Sequence, residues 1–399
     1  MASNGVDVAD PADAAGSDGA PRRPVVGIVG AGQLARMMTP PAIELDLELR
    51  LLAARADDSA AKVIPATTVG DERGLLDLQR FSDSLDVLTF DHEHVPTAHL
   101  RSLEASGVTV RPGPHALPYA TDKAVMRRGL HALGVPVPRF EVIEAPEDLS
   151  RAVQAVGGWP CVLKTARGGY DGKGVWLASS PDEAEEVFRA RVPVVVEERV
   201  AFVRELAAVV ARSPSGQAIA YPVVESVQRD GICVEVIAPA PGLADETAMA
   251  AQRLALGVAS AVDVVGVLAV EIFECADGSV LVNELAMRPH NTGHWTIDGA
   301  ATSQFENHLR AVLDLPLGAP QARAPGAVMV NRLGGDLPDL HSALGHVRAR
   351  DPGVRVHLYG KQVRPGRKIG HVTVIGDDLD DLRARAHHAA DYITGVIDE

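Results

Sequence analysis

Lys164-Thr-Ala-Arg-Gly-Gly-Tyr-Asp-Gly-Lys-Gly-Val175 is the stretch that orders the reading of every other segment. The apolar run Cys161-Val162-Leu163 before it predicts a short buried strand ending at Lys164, and Gly168, Gly169, Gly172 and Gly174 follow. Glycine tolerates most φ values, so backbone N–H groups in such a loop can turn toward an anion at close range. Lys164 and Lys173 flank the loop with positive charge. It is not a Walker loop: no Gly-x-x-x-x-Gly-Lys-Ser/Thr occurs, and in Gly169-Tyr-Asp-Gly-Lys-Gly174 the lysine lies between glycines. A surface hairpin has the same glycine content, and the carboxylates further along the chain separate the two readings.

A chain of 399 residues has room for two or three domains, and 46% hydrophobic with 23% charged residues describes a globular protein with a sizeable core. Lys and Arg number 38 against 53 Asp and Glu, a net charge of −15 that argues against nucleic acid or an anionic membrane as partner. Cys161, Cys233 and Cys275 are widely spaced, without a Cys-x-x-Cys pair, which suits a reducing cytoplasm and provides no metal framework. No apolar run reaches the roughly eighteen residues of a membrane helix. Residues 1–23, rich in Ala, Asp, Gly, Ser and Pro, read as a disordered tail.

From Val25 the chain opens with a buried strand, a glycine turn and a helix starting near Gln33. Gly30-x-Gly32-x-x-Ala35 fits a dinucleotide fingerprint, but the second strand, expected over 49–55, ends in Arg55 rather than an acid, which disfavours NAD and leaves NADP open. Strands are expected at 87–90 and 108–110, making residues 24–121 one doubly wound α/β domain. Asp91-His92-Glu93-His94 then lies at a strand's carboxyl end, where such sheets bind ligands, and a solvated loop is the competing reading. Thr121 is expected to cap a helix ending at Gly134. Val194 to Val200 reads as a linker strand whose acidic end faces an adenine and a ribose, or as an ordinary strand terminus.

The carboxylates lie in Val267-Leu-Ala-Val-Glu271 and Val280-Leu-Val-Asn283-Glu284, joined through Asp277-Gly278. A two-residue turn at Asp277-Gly278 places Glu271 opposite Glu284, about 5 Å apart on one face. Like charges so placed repel unless a cation bridges them, and Mg²⁺ suits two carboxylates completed by phosphate oxygens and water. By alternation Val267, Ala269, Val280 and Val282 share that face; the competing reading puts both acids on a solvated surface. The polar loop Arg288-Pro-His290-Asn291-Thr-Gly-His294 follows directly. Toward the end, Tyr359-Gly-Lys361 to Arg367-Lys368-Ile-Gly-His371 is basic, with no acid between Asp351 and Asp377, and suits a phosphate or carboxylate.

In this order the segments resemble the ATP-grasp superfamily and, within it, the N5-carboxyaminoimidazole ribonucleotide synthetases of de novo purine biosynthesis. The resemblance rests on Gly30-Ala-Gly-Gln-Leu34, Glu93-His-Val-Pro96, Gly169 to Gly174, Asn283-Glu284, Arg288 to His294, and Tyr359-Gly-Lys361 with Arg367 to His371. It implies an α/β, ATP-grasp architecture: an N-terminal doubly wound α/β domain (24–121), a central ATP-grasp domain (122–315) and a small C-terminal domain (322–399). ATP, bicarbonate and 5-aminoimidazole ribonucleotide are the implied substrates, Mg²⁺ the implied metal, and a homodimer the implied assembly. By position, ATP falls to Lys123, Lys164, Gly169, Tyr170, Asp171, Gly172, Lys173, Gly174, Val175, Glu197, Glu198, Arg199, Val200, Glu205, Gln228, Asn283 and Glu284. Magnesium falls to Glu271 and Glu284. Gln33, Leu34, Arg288, His290, Asn291, Lys361, Arg367 and Lys368 fall to the ribonucleotide, with Glu93, Tyr170, Lys361 and Arg367 at the chemistry. Lys123 stands where the family often has Arg, and Gln228 where it often has His. A formate-using transformylase or a biotin-carboxylase-like ligase shares all but the acceptor. An NADP oxidoreductase and a non-catalytic ATP-binding regulator are the readings from other classes.

Overall fold

Strands β1 (Val25–Val29), β2 (Glu48–Ala53), β3 (Thr67–Val69) and β4 (Val87–Phe90) are parallel in the order β3-β2-β1-β4. Their Val and Leu runs are buried on both faces, as helices on either side require. The structure, a computed structural model, describes residues 22–169, 172–335 and 339–397; most of the expected tail, and the assignments to Tyr170 and Asp171, lie outside them. Val26 and Ile28 share a core with Leu34, Ala35 and Met38, and with Phe305, Leu309 and Val312 from far down the chain. The strand expected at 108–110 shrinks to one parallel bridge, Val110 to Leu88, because Pro112 ends the ladder after Arg111 donates to Leu88 O.

The helix Lys123–Ala132 is capped by Asp122, whose Oδ1 accepts from Ala124 N and Val125 N at 3.0 Å, and not by Thr121, which ends a short preceding helix. A carboxylate is the better partner for a helix N-terminus. Beyond it β5 (Phe140–Ile143), β6 (Cys161–Thr165), β7 (Val175–Ala178) and β8 (Val194–Glu198) form an antiparallel sheet, β5-β8-β6-β7, covered by the helix Leu149–Val156.

The chain then enters a nine-stranded sheet built from β9 (Phe202–Arg212), β10 (Ala218–Ala220), β11 (Val224–Arg229), β12 (Ile232–Ala238), β13 (Gly266–Cys275), β14 (Val280–Ala286), β15 (Gly326–Leu333), β16 (Arg355–Leu358) and β17 (Lys368–Gly376). Its order is β14-β13-β9-β11-β12-β15-β17-β16, with β10 beside β9. The small C-terminal domain joins this sheet: β15 pairs with β12 and continues it. A core of Ile237, Val328 and Val372 under the helix Leu379–Thr394 joins the two parts.

The β13–β14 hairpin departs from the expected turn, and two departures cancel. Cys275 and Ser279 close the loop, so Ala276-Asp277-Gly278 is a three-residue connection, with Gly278 at φ +78. Next to it Glu274 pairs with Val280, but a bulge between Glu271 and Ile272 shifts the register, and Glu271 faces Glu284 after all. Val282 consequently packs with Ile272 and Leu268 on the other face, while Val267 and Ala269 belong to a different core.

Candidate active site

Because the bulge leaves Asn283 as the unpaired residue of β14, Asn283 and Glu284 both reach lysines across the cleft. Asn283 Oδ1 accepts from Lys164 Nζ at 2.9 Å, and Glu284 Oε1 lies 2.8 Å from Lys123 Nζ. Lys164, at the end of β6, also lies 2.9 Å from Glu197 Oε2 on β8. The other oxygen of Glu197 accepts from Arg127 Nε at 2.6 Å. Arg127 sits one helical turn beyond Lys123 and is 0% exposed. Burial pushes the Glu197 carboxyl up, but Lys164 and Arg127 outweigh it and hold its pKa at about 2. Arg127 was not among the sequence candidates; its four-residue spacing from Lys123 on one helix face is the signal that points to it.

Glu271 shows the opposite balance. Burial, then Glu284 and Glu205, raise its carboxyl well above the usual range, whereas Lys123 and Lys164 overcome the burial of Glu284 and lower it. Glu205 itself is pushed up to about 6, chiefly by burial. The cleft thus holds carboxylate charge in excess of what its lysines neutralise, a donor set of hard oxygens that fits a divalent cation bridging Glu271 and Glu284. Among the described residues no three His, Cys, Asp or Glu side chains converge as a self-sufficient metal cage, so the remaining positions of such an ion would be filled by phosphate or water.

A Cβ at Gly172 would meet Asp230 O and Gly231 Cα at 3.1 Å, so the glycine loop rests against the β11–β12 turn of the large sheet. Gln228 stands beside that turn, donating through Nε2 to Ser226 Oγ at 2.8 Å. Arg199 and Val200 form the crossing from β8 to β9, while Glu198 pairs with Arg139 at 2.8 Å.

On the N-terminal side Glu93 Oε2 accepts from Arg288 Nε at 2.8 Å and Oε1 from Met287 N at 3.2 Å. His290 Nε2 is 3.5 Å from Glu271 Oε1, and burial followed by Arg288 and Lys368 lowers its pKa, leaving a neutral imidazole. Asn291, next in sequence, is buried with no nitrogen or oxygen partner for either amide atom among the described residues. Lys361 Nζ bonds Gln33 Oε1, which joins the basic C-terminal loop to the N-terminal domain; Lys62 Nζ donates to Gly360 O at 2.6 Å alongside. Arg367 reaches Gln362 O at 3.4 Å.

The side chain of Leu34 is buried in the N-terminal core. One expectation fails here. The Gly30 fingerprint cannot cradle a pyrophosphate, because Asp91 occupies the helix start: its Oδ2 accepts from Gly32 N at 2.6 Å and its Oδ1 from Ala35 N at 2.7 Å. A Cβ at Gly32 would overlap Asp91 Oδ2, so the glycine serves an internal carboxylate, which would repel a phosphate. The NADP oxidoreductase reading is thereby removed.

Two sheets closing over lysines and paired carboxylates define an ATP-grasp protein, and the family profile described as the ATP-grasp domain matches residues 128–305. A ribonucleotide synthetase preATP-grasp domain matches 24–121, and a phosphoribosylaminoimidazole carboxylase C-terminal domain matches 327–385. The N5-carboxyaminoimidazole ribonucleotide synthase of Mycobacterium tuberculosis H37Rv is 54% identical over 378 residues, covering 93% of this chain and 88% of that one. That of Corynebacterium ammoniagenes is 46% identical, covering 94% and 93%. Among solved structures, the Aspergillus clavatus enzyme in complex with ADP and 5-aminoimidazole ribonucleotide superposes with TM-score 0.84 at 31% identity, covering 93% of this chain and 98% of that one. The Thermus thermophilus enzyme superposes at 0.81 with 37% identity, covering 94% and 99%. The chain belongs to the N5-carboxyaminoimidazole ribonucleotide synthase family.

Proposed function

We propose that this protein uses ATP to carboxylate 5-aminoimidazole ribonucleotide with bicarbonate, releasing N5-carboxyaminoimidazole ribonucleotide, ADP and phosphate. The observation that carries the reading is the convergence of Lys123, Lys164 and the Glu271–Glu284 pair, with Glu93, Arg288 and His290 at their edge. Bicarbonate is a poor electrophile, so one of its oxygens first attacks the γ-phosphorus and ADP leaves, forming carboxyphosphate. The ribonucleotide amine then attacks the carboxyl carbon, directly or as released CO₂, and phosphate departs. Phosphoryl transfer needs mainly positioning and charge stabilisation, which the two lysines supply. Mg²⁺ held by Glu271 and Glu284 would neutralise phosphate charge. Closure of the glycine loop would exclude water from a labile mixed anhydride.

Glu93, Lys361 and Arg367 are assigned to the ribonucleotide. ATP phosphates already have Lys123, Lys164 and Lys173, and the second phosphate needs its own cations. Arg367→Ala is expected to raise KM for the ribonucleotide at least tenfold while direct ATP binding stays within twofold, and Arg367→Lys to be impaired as well, since an ammonium lacks the two-pronged fork. Loss of ATP affinity with normal ribonucleotide binding would overturn the assignment.

Residues 24–121, 122–315 and 322–399 are read as the three domains, in the cytoplasm, as a homodimer. Sedimentation at twice the 42.0 kDa chain mass tests the assembly. ADP release measured with bicarbonate or ribonucleotide omitted tests the reaction: full turnover without the ribonucleotide, or with formate replacing bicarbonate, contradicts it.

A further inference from the structure

His308 is fully buried in the helix Gln304–Val312, away from the cleft, and both ring nitrogens are engaged. Val267 N donates to Nδ1 at 3.1 Å, so Nδ1 carries no proton and the neutral ring holds its hydrogen on Nε2. Nε2 then donates to Thr89 Oγ1, 2.8 Å away and also fully buried. Thr89 is on β4, four residues before Glu93; Val267 is on β13, four residues before Glu271. On β13 four residues of strand span about 13 Å, whereas β4 ends at Phe90 and Glu93 lies in the loop just beyond it.

The imidazole therefore pins together two strands of different domains, each four residues in sequence upstream of a carboxylate assigned to a different substrate. Phe305, Leu309 and Val312 on the same helix pack into the N-terminal core, which holds the pin in place. Gly266, at φ +110, admits the ring: a Cβ there would meet His308 Cε1 at 2.9 Å. At the cleft end the two sides meet again through Glu93, whose bonds to Met287 N and Arg288 must loosen if its carboxylate turns to substrate.

We propose that His308 is a positioning residue that sets the separation of the ribonucleotide side, presented by β4, from the phosphoryl-transfer side, presented by β13, and so couples ATP cleavage to carboxylation. The proposal rests on the reaction assigned above. Thr89→Val removes the interdomain acceptor, and His308→Asn keeps an acceptor for Val267 N but is too short to reach Thr89. Both are expected to retain bicarbonate-dependent ADP release and KM for ATP within about twofold, while product formed per ADP falls at least fivefold. Thr89→Ser, which keeps the hydroxyl, should restore wild-type coupling. Unchanged product per ADP in Thr89→Val, or an equal loss of ADP release and product, would overturn the role of His308. If His308→Asn does not fold, the Thr89→Val and Thr89→Ser pair decides. Absence of product from the wild-type protein would instead refute the reaction itself.

Discussion

Glu271→Gln is expected to lower turnover a hundredfold or more and yet to raise the melting temperature of the metal-free protein by a few degrees. Burial and the neighbouring Glu284 and Glu205 raise the Glu271 carboxyl in the folded state. A raised carboxyl contributes stability that is complete below the unfolded value, near 4.5, and is lost as pH rises toward the folded value. The wild-type melting temperature should therefore decline over this interval above pH 4.5, and the decline should be absent from the glutamine variant, which carries no charge to repel. Magnesium with ATP should stabilise the wild type and have little effect on the variant, because a neutral amide is a poor ligand for a hard cation. A destabilised Glu271→Gln protein without metal would show that the carboxylate is structural.

Lys164→Ala should weaken ATP binding ten- to hundredfold, the range for losing a charge-assisted contact to a phosphate. Its second effect follows from Glu197, which keeps only Arg127 when the lysine is gone. Breaking one half of a buried ion pair costs about 3–5 kcal/mol when no partner remains, and less with Arg127 in place. The variant should also unfold in acid at a higher pH. Glu197, held at about 2, stabilises the fold by about 3 kcal/mol above pH 4.5, and that stability is lost as pH falls through the folded value. Lowering the cationic support shortens this window from below. An acid-unfolding midpoint identical to the wild type, measured by circular dichroism, would remove Lys164 from the Glu197 pair.

Local chemistry made much of this protein legible without coordinates. Valine runs announced the buried strands, and the turn at Asp277-Gly278 brought Glu271 to Glu284. That last result came through a compensation no local rule contains: a three-residue turn displaced the register and the bulge at Asn283 returned it. Whether a glycine-rich turn holds a ligand's phosphate or the chain's own carboxylate depended on Asp91, 59 residues from Gly32, reaching its backbone. His308 was likewise invisible, and Arg127 was marked only by its spacing from Lys123, because each takes its meaning from partners on other strands, Glu197 in one case and Thr89 with Val267 in the other. Residue type and spacing determine which segments form and which side chains carry charge. The partner of a buried charge is chosen by desolvation, which acts only once distant segments have closed around it.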